Sequence, residues 1–191
     1  MADFRLETER LILRDFTSEG DWEAFFRVTN TPAVMEWLGG LLDDAGLAMQ
    51  RARVEQCAAA HGHCFWLVER KPDGGHLAGE ALGFCGLKRA DAPGSTATGE
   101  MEIGWRLRED AWGAGYAREA AEASLRAGFD DFGAAQIIAI TVVDNRPSWG
   151  LMIRLGMRRR EDLDYPDTRF DPPWRDHIVY SISREEWEMQ R

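Results

Sequence analysis

The sequence predicts one mixed α/β domain over residues 1–191, in which an antiparallel front half leads into strands alternating with helices. Three observations carry this. Two β-rich runs, residues 64–69 and 77–87, flank the turn sequence Lys71-Pro72-Asp73-Gly74-Gly75, so residues 63–88 read as a hairpin. A second run alternates in period two: Met101, Ile103, Trp105 and Leu107 are apolar, with Glu102, Gly104 and Arg106 between them. Residues 136–143 are almost continuously apolar, as a central strand covered on both faces requires. An antiparallel front half excludes a doubly wound sheet.

Each element has its own signal. Residues 6–15 read as a first strand, with Leu11 and Leu13 alternating with Arg10, Ile12 and Arg14. Ser18, three residues before Asp21, marks a helix start, and Trp22, Phe25, Phe26 and Thr29 follow at helical spacing. Pro32 opens a short helical turn through Trp37, which Gly39-Gly40 stops. Asp43 or Asp44 caps a longer helix running to about Ala60, and Gly62 ends it. Residues 91–99 form a polar loop. Behind the alternating strand come Trp112-Gly113-Ala114-Gly115-Tyr116-Ala117 and an amphipathic helix with Ala120, Ala121, Leu125 and Phe129 on its apolar face. Asp144-Asn145-Arg146-Pro147 breaks the apolar strand, and residues 148–155 fit a short helix stopped by Gly156. Residues 157–162 and 178–183 are expected to be the last strands, with residues 165–176 as the loop between them.

Composition narrows the function. A net charge of −10 argues against nucleic acid as the main partner, because such binding rests on Lys and Arg. It suits a cationic substrate, or solubility alone. No apolar run is long enough to span a membrane. The first residues show no basic stretch followed by an apolar one, so no signal peptide is expected. The three cysteines, Cys57, Cys64 and Cys85, lack Cys-x-x-Cys spacing, which favours the reducing cytoplasm over a disulfide framework. His61, His63 and His76 are scattered and offer no metal site, and Cys57 and Cys64 lack zinc-ligand spacing with them.

The stretch from Trp112 to Ala117 is a strand-to-helix turn of small residues. Backbone N–H groups at a helix start lack intrahelical partners, and the helix dipole favours an anion there. The turn therefore reads as a grip for a pyrophosphate. It is not a dinucleotide fingerprint, since Arg118 stands where Gly or Ala is required, and no Gly-Lys-Ser/Thr follows it.

Four motifs occur in order: Glu102-Ile103-Gly104-Trp105, Trp112-Gly113-Ala114-Gly115-Tyr116-Ala117, Asn145-Arg146-Pro147-Ser148 and Leu155-Gly156-Met157. In these the chain resembles the GNAT superfamily of acetyl-CoA-dependent N-acetyltransferases, and within it the ribosomal-protein-alanine N-acetyltransferase branch. Residues 7–14 also resemble that branch's first strand. The resemblance spans residues 7 to about 160.

The resemblance implies a central, mostly antiparallel sheet with a splayed parallel strand pair and helices on both faces. It implies acetyl-CoA as cosubstrate and no metal, with CoA pyrophosphate on the amides of Gly113, Ala114, Gly115, Tyr116 and Ala117. The pantetheine arm would pair with the backbone of Trp105 to Leu107, and free N–H groups at Trp105 or Leu107 would stabilise the oxyanion. Asn145 would bond the pantetheine. Arg106, Arg108, Arg118 and Arg146 could meet phosphates or remain solvated surface charges. Where many relatives carry a tyrosine acid this chain has Met152, which cannot donate, and Ser148 is the substitute, as acid or as ligand contact. Glu102 is the first candidate base and His177 its rival, because imidazole titrates near neutrality. Trp22, Phe25, Phe26, Met35, Trp37, Tyr165, Phe170 and Trp174 are candidate acceptor lining, or, for most of the aromatics, core. Asp162, Asp164, Asp167, Asp171 and Asp176 could receive an ammonium group or form a solvated acidic loop. The acceptor is expected to be a primary amine, on a small molecule or a protein N-terminus, and the chain a monomer or homodimer. The competing class is a non-catalytic acyl-CoA sensor on the same fold.

Overall fold

The computed structural model describes residues 4–190. Its strands are β1 (Arg5–Glu7), β2 (Leu11–Arg14), β3 (Phe65–Arg70), β4 (Ala81–Arg89), β5 (Met101–Leu107), β6 (Gln136–Val142), β7 (Arg158–Arg159), β8 (Tyr165–Pro166) and β9 (Asp176–Ser183). They form one sheet in the order β1-β2-β3-β4-β5-β6-β9-β7, with β8 also on β9. Every pairing is antiparallel except β5 with β6. The helices are α1 (Glu19–Thr29), α2 (Pro32–Met35), α3 (Asp44–His61), α4 (Tyr116–Asp130), α5 (Arg146–Arg154) and α6 (Arg184–Glu188).

The helix ends follow their side-chain chemistry. Ser18 and Asp21 form a capping box at α1, Asp43 caps α3, and Gly62 closes α3 in the left-handed conformation. The expected first strand is in fact a hairpin. Its chain turns at Thr8, whose hydroxyl accepts from the Leu11 N–H at 2.9 Å, so Leu6 pairs with Leu13. The returning strand of the 63–88 hairpin starts only at Ala81, because residues 77–80 complete the turn. Of the strand expected at 157–162 only Arg158–Arg159 pairs, and Glu161–Leu163 winds into a 3-10 turn. The helix α6 was not anticipated, although Ser183 and Glu186 spell its capping box.

Hydrophobic clusters cover both faces of the sheet, a third and smaller one lying around Ile138, Tyr165 and Val179. The apolar face of α4, with Ala120, Ala121, Leu125 and Phe129, packs with Leu151, Met152 and Leu155 of α5 against Leu87, Ile103 and Ile137. On the opposite face Trp22 and Phe25 of α1 and Val54 of α3 cover Leu67 and Phe84. Gly104 has a packing reason: a Cβ there would come 2.9 Å from the Phe65 ring. The odd-numbered side chains of β5 thus face α4, and Glu102, Gly104 and Arg106 face the α1 side.

Candidate functional site

The sheet opens at its middle. β5 pairs with β4 along its whole length, from Met101 to Leu107, but with β6 only through Met101–Ile137 and Glu102–Ile138. Past that point the two parallel strands separate, while β6 stays fully paired with β9 from Gln136 to Val142. The Arg108 N–H donates to the Leu82 carbonyl, which sets the phase of the β4–β5 ladder. Antiparallel alternation then turns the even-numbered backbone groups of β5 toward β4 and the odd-numbered ones toward the gap. Trp105 and Leu107 accordingly direct their N–H groups into the opening. The Leu107 carbonyl, on the same edge, accepts from the exposed indole of Trp112 at 2.9 Å.

At the head of the gap the chain makes the glycine turn and enters α4. Gly113 and Gly115 both adopt positive φ, +73° and +82°, which an L side chain rarely tolerates. Gly115 is the N-cap, and no side chain caps the helix. A Cβ on Gly113 would meet nothing within 4 Å, so the turn is open on that side. Ala114 and Ala117 are partly buried against the main core. The Tyr116 side chain is buried: its hydroxyl donates to the His76 carbonyl and accepts from Arg70 Nε. Only its backbone can serve an anion.

Arg10 fastens this turn from the first hairpin. Its Nη1 donates to the Ala114 carbonyl at 3.0 Å and its guanidinium lies 4.6 Å above the Tyr116 ring. Its Nε and backbone N–H both donate to Glu119, which also accepts from the Thr8 hydroxyl. Burial pushes the Glu119 carboxyl up, but these bonds outweigh it and hold the group below the ordinary range. Local pattern in the sequence carried no signal for this clamp, since it joins residues 109 positions apart.

The flanking arginines divide. Arg108 is engaged by Glu80 and Asp110, and Arg118 by Glu122. Arg146 is exposed at the start of α5. Arg106 fits neither sequence expectation: it is buried on the α1 side, away from the glycine turn and from solvent.

Across the gap, Asn145 caps α5. Its Oδ1 accepts from the Ser148 N–H and its Nδ2 donates to Thr141 Oγ1 at 3.0 Å. Ser148 sits half-buried in the first turn of that helix, while Met152 is packed into the core. On the α1 side of the sheet, Glu102 pairs with Lys88 at 2.9 Å. Burial lowers the Lys88 pKa, but Glu102 and Asp91 outweigh it and raise the group above its ordinary value. His177 on β9 stands opposite Val142, with Nδ1 3.2 Å from the Tyr165 hydroxyl and 4.0 Å from the buried Asp167. Burial lowers the His177 pKa despite the opposing pull of Asp167. A cavity of about 700 Å³ opens beside it, lined by Val143, Tyr165, Asp176 and His177 among others.

Register places these groups relative to one another. Glu102 is level with Ile138, and the steps from Glu102 to Arg106 and from Ile138 to Val142 are equal. Arg106 and His177 therefore lie on one face of the sheet, with β6 between their strands. Glu102 lies about 13 Å lower along the strands, so it and His177 do not form one catalytic pair. The aromatic expectations split likewise. Trp22 and Phe25 are core, whereas Trp174 donates to the Glu36 carbonyl and Phe170 lies against Gly39, tying the 165–176 segment to the chain after α2. The acidic loop is not an open trap: Asp162, Asp164, Asp167 and Asp176 are each paired with a neighbouring arginine. It is nonetheless largely solvated, since Asp162, Asp164, Asp171 and Asp176 are exposed and only Asp167 is buried.

A sheet parted between two parallel strands, with an uncapped helix start at the head of the gap, defines an acyl-CoA-using transferase fold. The acetyltransferase (GNAT) domain family matches residues 10–158, and the chain belongs to that family. It is accordingly an acetyl-CoA-dependent acetyltransferase, a class that acts on amine acceptors. The chain is 29% identical to the uncharacterized N-acetyltransferase YnaD of Bacillus subtilis over 95% of its own length and 98% of that protein. The fold recurs in an acetyltransferase from Agrobacterium tumefaciens, with a TM-score of 0.76, 23% identity and 96% of each chain covered. It recurs also in the ribosomal-protein-S5-alanine acetyltransferase of Vibrio fischeri, with a TM-score of 0.72, 18% identity and 97% and 99% of the chains covered. The sheet, its splayed pair and the helices on both faces agree with the fold expected from sequence. No helix among the described residues is long and apolar enough to cross a membrane.

Proposed function

We propose that this protein moves the acetyl group of acetyl-CoA to a primary amine by direct transfer in a ternary complex, as a single domain working in the cytoplasm. The observation that carries the reading is the loss of β5–β6 pairing after Glu102, which frees the N–H groups of Trp105 and Leu107 beside an uncapped helix start. In this reading the amides from Gly113 to Ala117 hold the CoA pyrophosphate, and the pantetheine arm replaces the missing strand contacts on β5. The amine attacks the thioester carbonyl, and the oxyanion is met by N–H groups at Trp105 and Leu107. Loss of CoA thiolate then yields the amide, with Ser148 or water returning the proton.

His177 is the base in this scheme. It lies on the same face of the sheet as Arg106, and its lowered pKa keeps it neutral near pH 7. Glu102 is held by Lys88 at the closed end of the gap, where it acts through water or only positions that lysine. Asn145 orients Ser148 and the first turn of α5. The test is incubation with acetyl-CoA and a panel of small amines and short peptides, reading free CoA thiol and acetylated product. Release of CoA with product is expected. CoA binding without turnover on any amine would establish the sensor class instead, and stabilisation by NAD but not CoA would remove both.

A further inference from the structure

Arg106 is buried to 6% exposure, yet its Nε and Nη2 have no hydrogen-bond partner among the described residues. Its remaining nitrogen, Nη1, lies 3.2 Å from the Met35 sulfur. The rings of Phe25 and Phe84 lie 4.6 and 5.2 Å from the guanidinium carbon. Such soft contacts offset only part of the cost of removing a cation from water. Burial alone acts on this group and pulls its pKa down to about 9, which leaves it charged at neutral pH. The acids on the same face are committed elsewhere: Glu102 to Lys88, and Asp21 and Glu69 to Arg14. An apolar side chain would fill this slot without penalty, so the charge calls for an anion from outside the chain.

The geometry says which anion. Nε and Nη2 share one edge of the guanidinium, the edge that grips a carboxylate through two parallel hydrogen bonds. Met35 takes up the remaining nitrogen, Nη1, which leaves the Nε–Nη2 edge for a ligand. Arg106 also lies between Trp105 and Leu107, on the strand that borders the gap. We propose that the acceptor is an amine that also carries a carboxylate, and that the Nε–Nη2 edge of Arg106 binds this carboxylate while the amine faces the gap. This rests on the acetyl-transfer reading above and narrows its substrate class.

The experiment compares an amino acid, its amide and the matching plain alkylamine, in wild type and in Arg106→Met and Arg106→Lys. Turnover is read by CoA release, and binding by calorimetry of each compound to CoA-loaded protein. Wild type is expected to prefer the amino acid by at least about 10-fold in kcat/KM. Arg106→Met should raise its KM by about 10- to 100-fold and leave the alkylamine within about threefold, because only the carboxylate contact is lost. Arg106→Lys, a point charge without the edge, should fall between them. A melting temperature at or above wild type shows that Arg106→Met is folded, since the variant removes an unpaired buried charge. Equal use of amino acid and amide by wild type, or a preference surviving in Arg106→Met, overturns the proposal. If no amine turns over but the amino acid binds wild type and not Arg106→Met, acetyl transfer fails while the carboxylate site stands.

Discussion

Arg10 Nε and Glu119 Oε2 lie 2.7 Å apart and join the first hairpin to the opening turn of α4. The same arginine donates to the Ala114 carbonyl and covers Tyr116, so one side chain touches three sides of the glycine turn. Arg10→Ala removes all of this at once. It is expected to raise the Kd for acetyl-CoA by about 10- to 100-fold, read by calorimetry, with the KM for the amine little changed. Glu119→Gln keeps the shape but weakens the grip, and should cost roughly 1–3 kcal/mol in a denaturant melt. An Arg10→Ala variant with unaltered CoA affinity would separate the clamp from the donor site.

The His177 assignment makes two pH-dependent claims. As a base it must be neutral, and burial sets its pKa below the ordinary value of about 6.5. The rate should thus hold down to about pH 6.5 and fall only as pH drops through the lower folded-state value. His177→Gln should lower kcat by about 100-fold and abolish this limb; comparing both proteins on one amine cancels the substrate's own ionisation. Stability follows the same sign. The unfolded chain binds this proton more readily, so the His177 contribution is complete above about pH 6.5 and is lost as pH falls through the folded pKa. If the acid limb survives in His177→Gln, the base is elsewhere, and Glu102→Gln is the variant that should then remove it.

Gly113 separates binding from folding. Its φ of +73° makes alanine strained, by about 1–2 kcal/mol, but nothing among the described residues stands within 4 Å of the added Cβ. Gly113→Ala should lower Tm by no more than about 5–8 °C. The new methyl would occupy the side from which a pyrophosphate approaches, and CoA affinity should drop by at least about 10-fold. Loss of stability without loss of CoA binding would place the anion elsewhere.

The fold was largely legible because its signals are local. Alternation marks β5, continuous apolarity marks β6, and Ser18, Asp43, Gly62 and Gly115 punctuate the helices. Much of what escaped depends on partners distant in sequence. Arg106 looks like any polar residue of an alternating strand, and only the packing of Phe25, Phe84 and Met35 reveals that its face is covered. Asp162, Asp164, Asp167 and Asp176 read as a negative surface for another reason: spacing alone does not say which nearby arginine folds back on each. The clamp of Arg10 on Glu119 is invisible because its partners are distant in sequence, and the short β7 and β8 are too brief to leave a period.

Acetyl-CoA itself provides the broadest check. A ligand that binds only the folded chain stabilises it by RT ln(1 + [L]/Kd), about 2.7 kcal/mol at a hundredfold excess over Kd. For a chain of this size that is a rise in Tm of about 5–10 °C. The shift should require the adenosine diphosphate end, which the glycine turn would hold, as well as the thioester arm along β5. Acetyl-pantetheine, which keeps the arm and lacks the pyrophosphate, should stabilise by less than about a third as much at equal concentration. In Arg10→Ala and Gly113→Ala the difference between the two compounds should shrink, since the lost affinity lies in the pyrophosphate. If acetyl-CoA at millimolar concentration leaves Tm unchanged, the gap between β5 and β6 is not a donor site; if acetyl-pantetheine matches acetyl-CoA, the turn from Trp112 to Ala117 holds no phosphate.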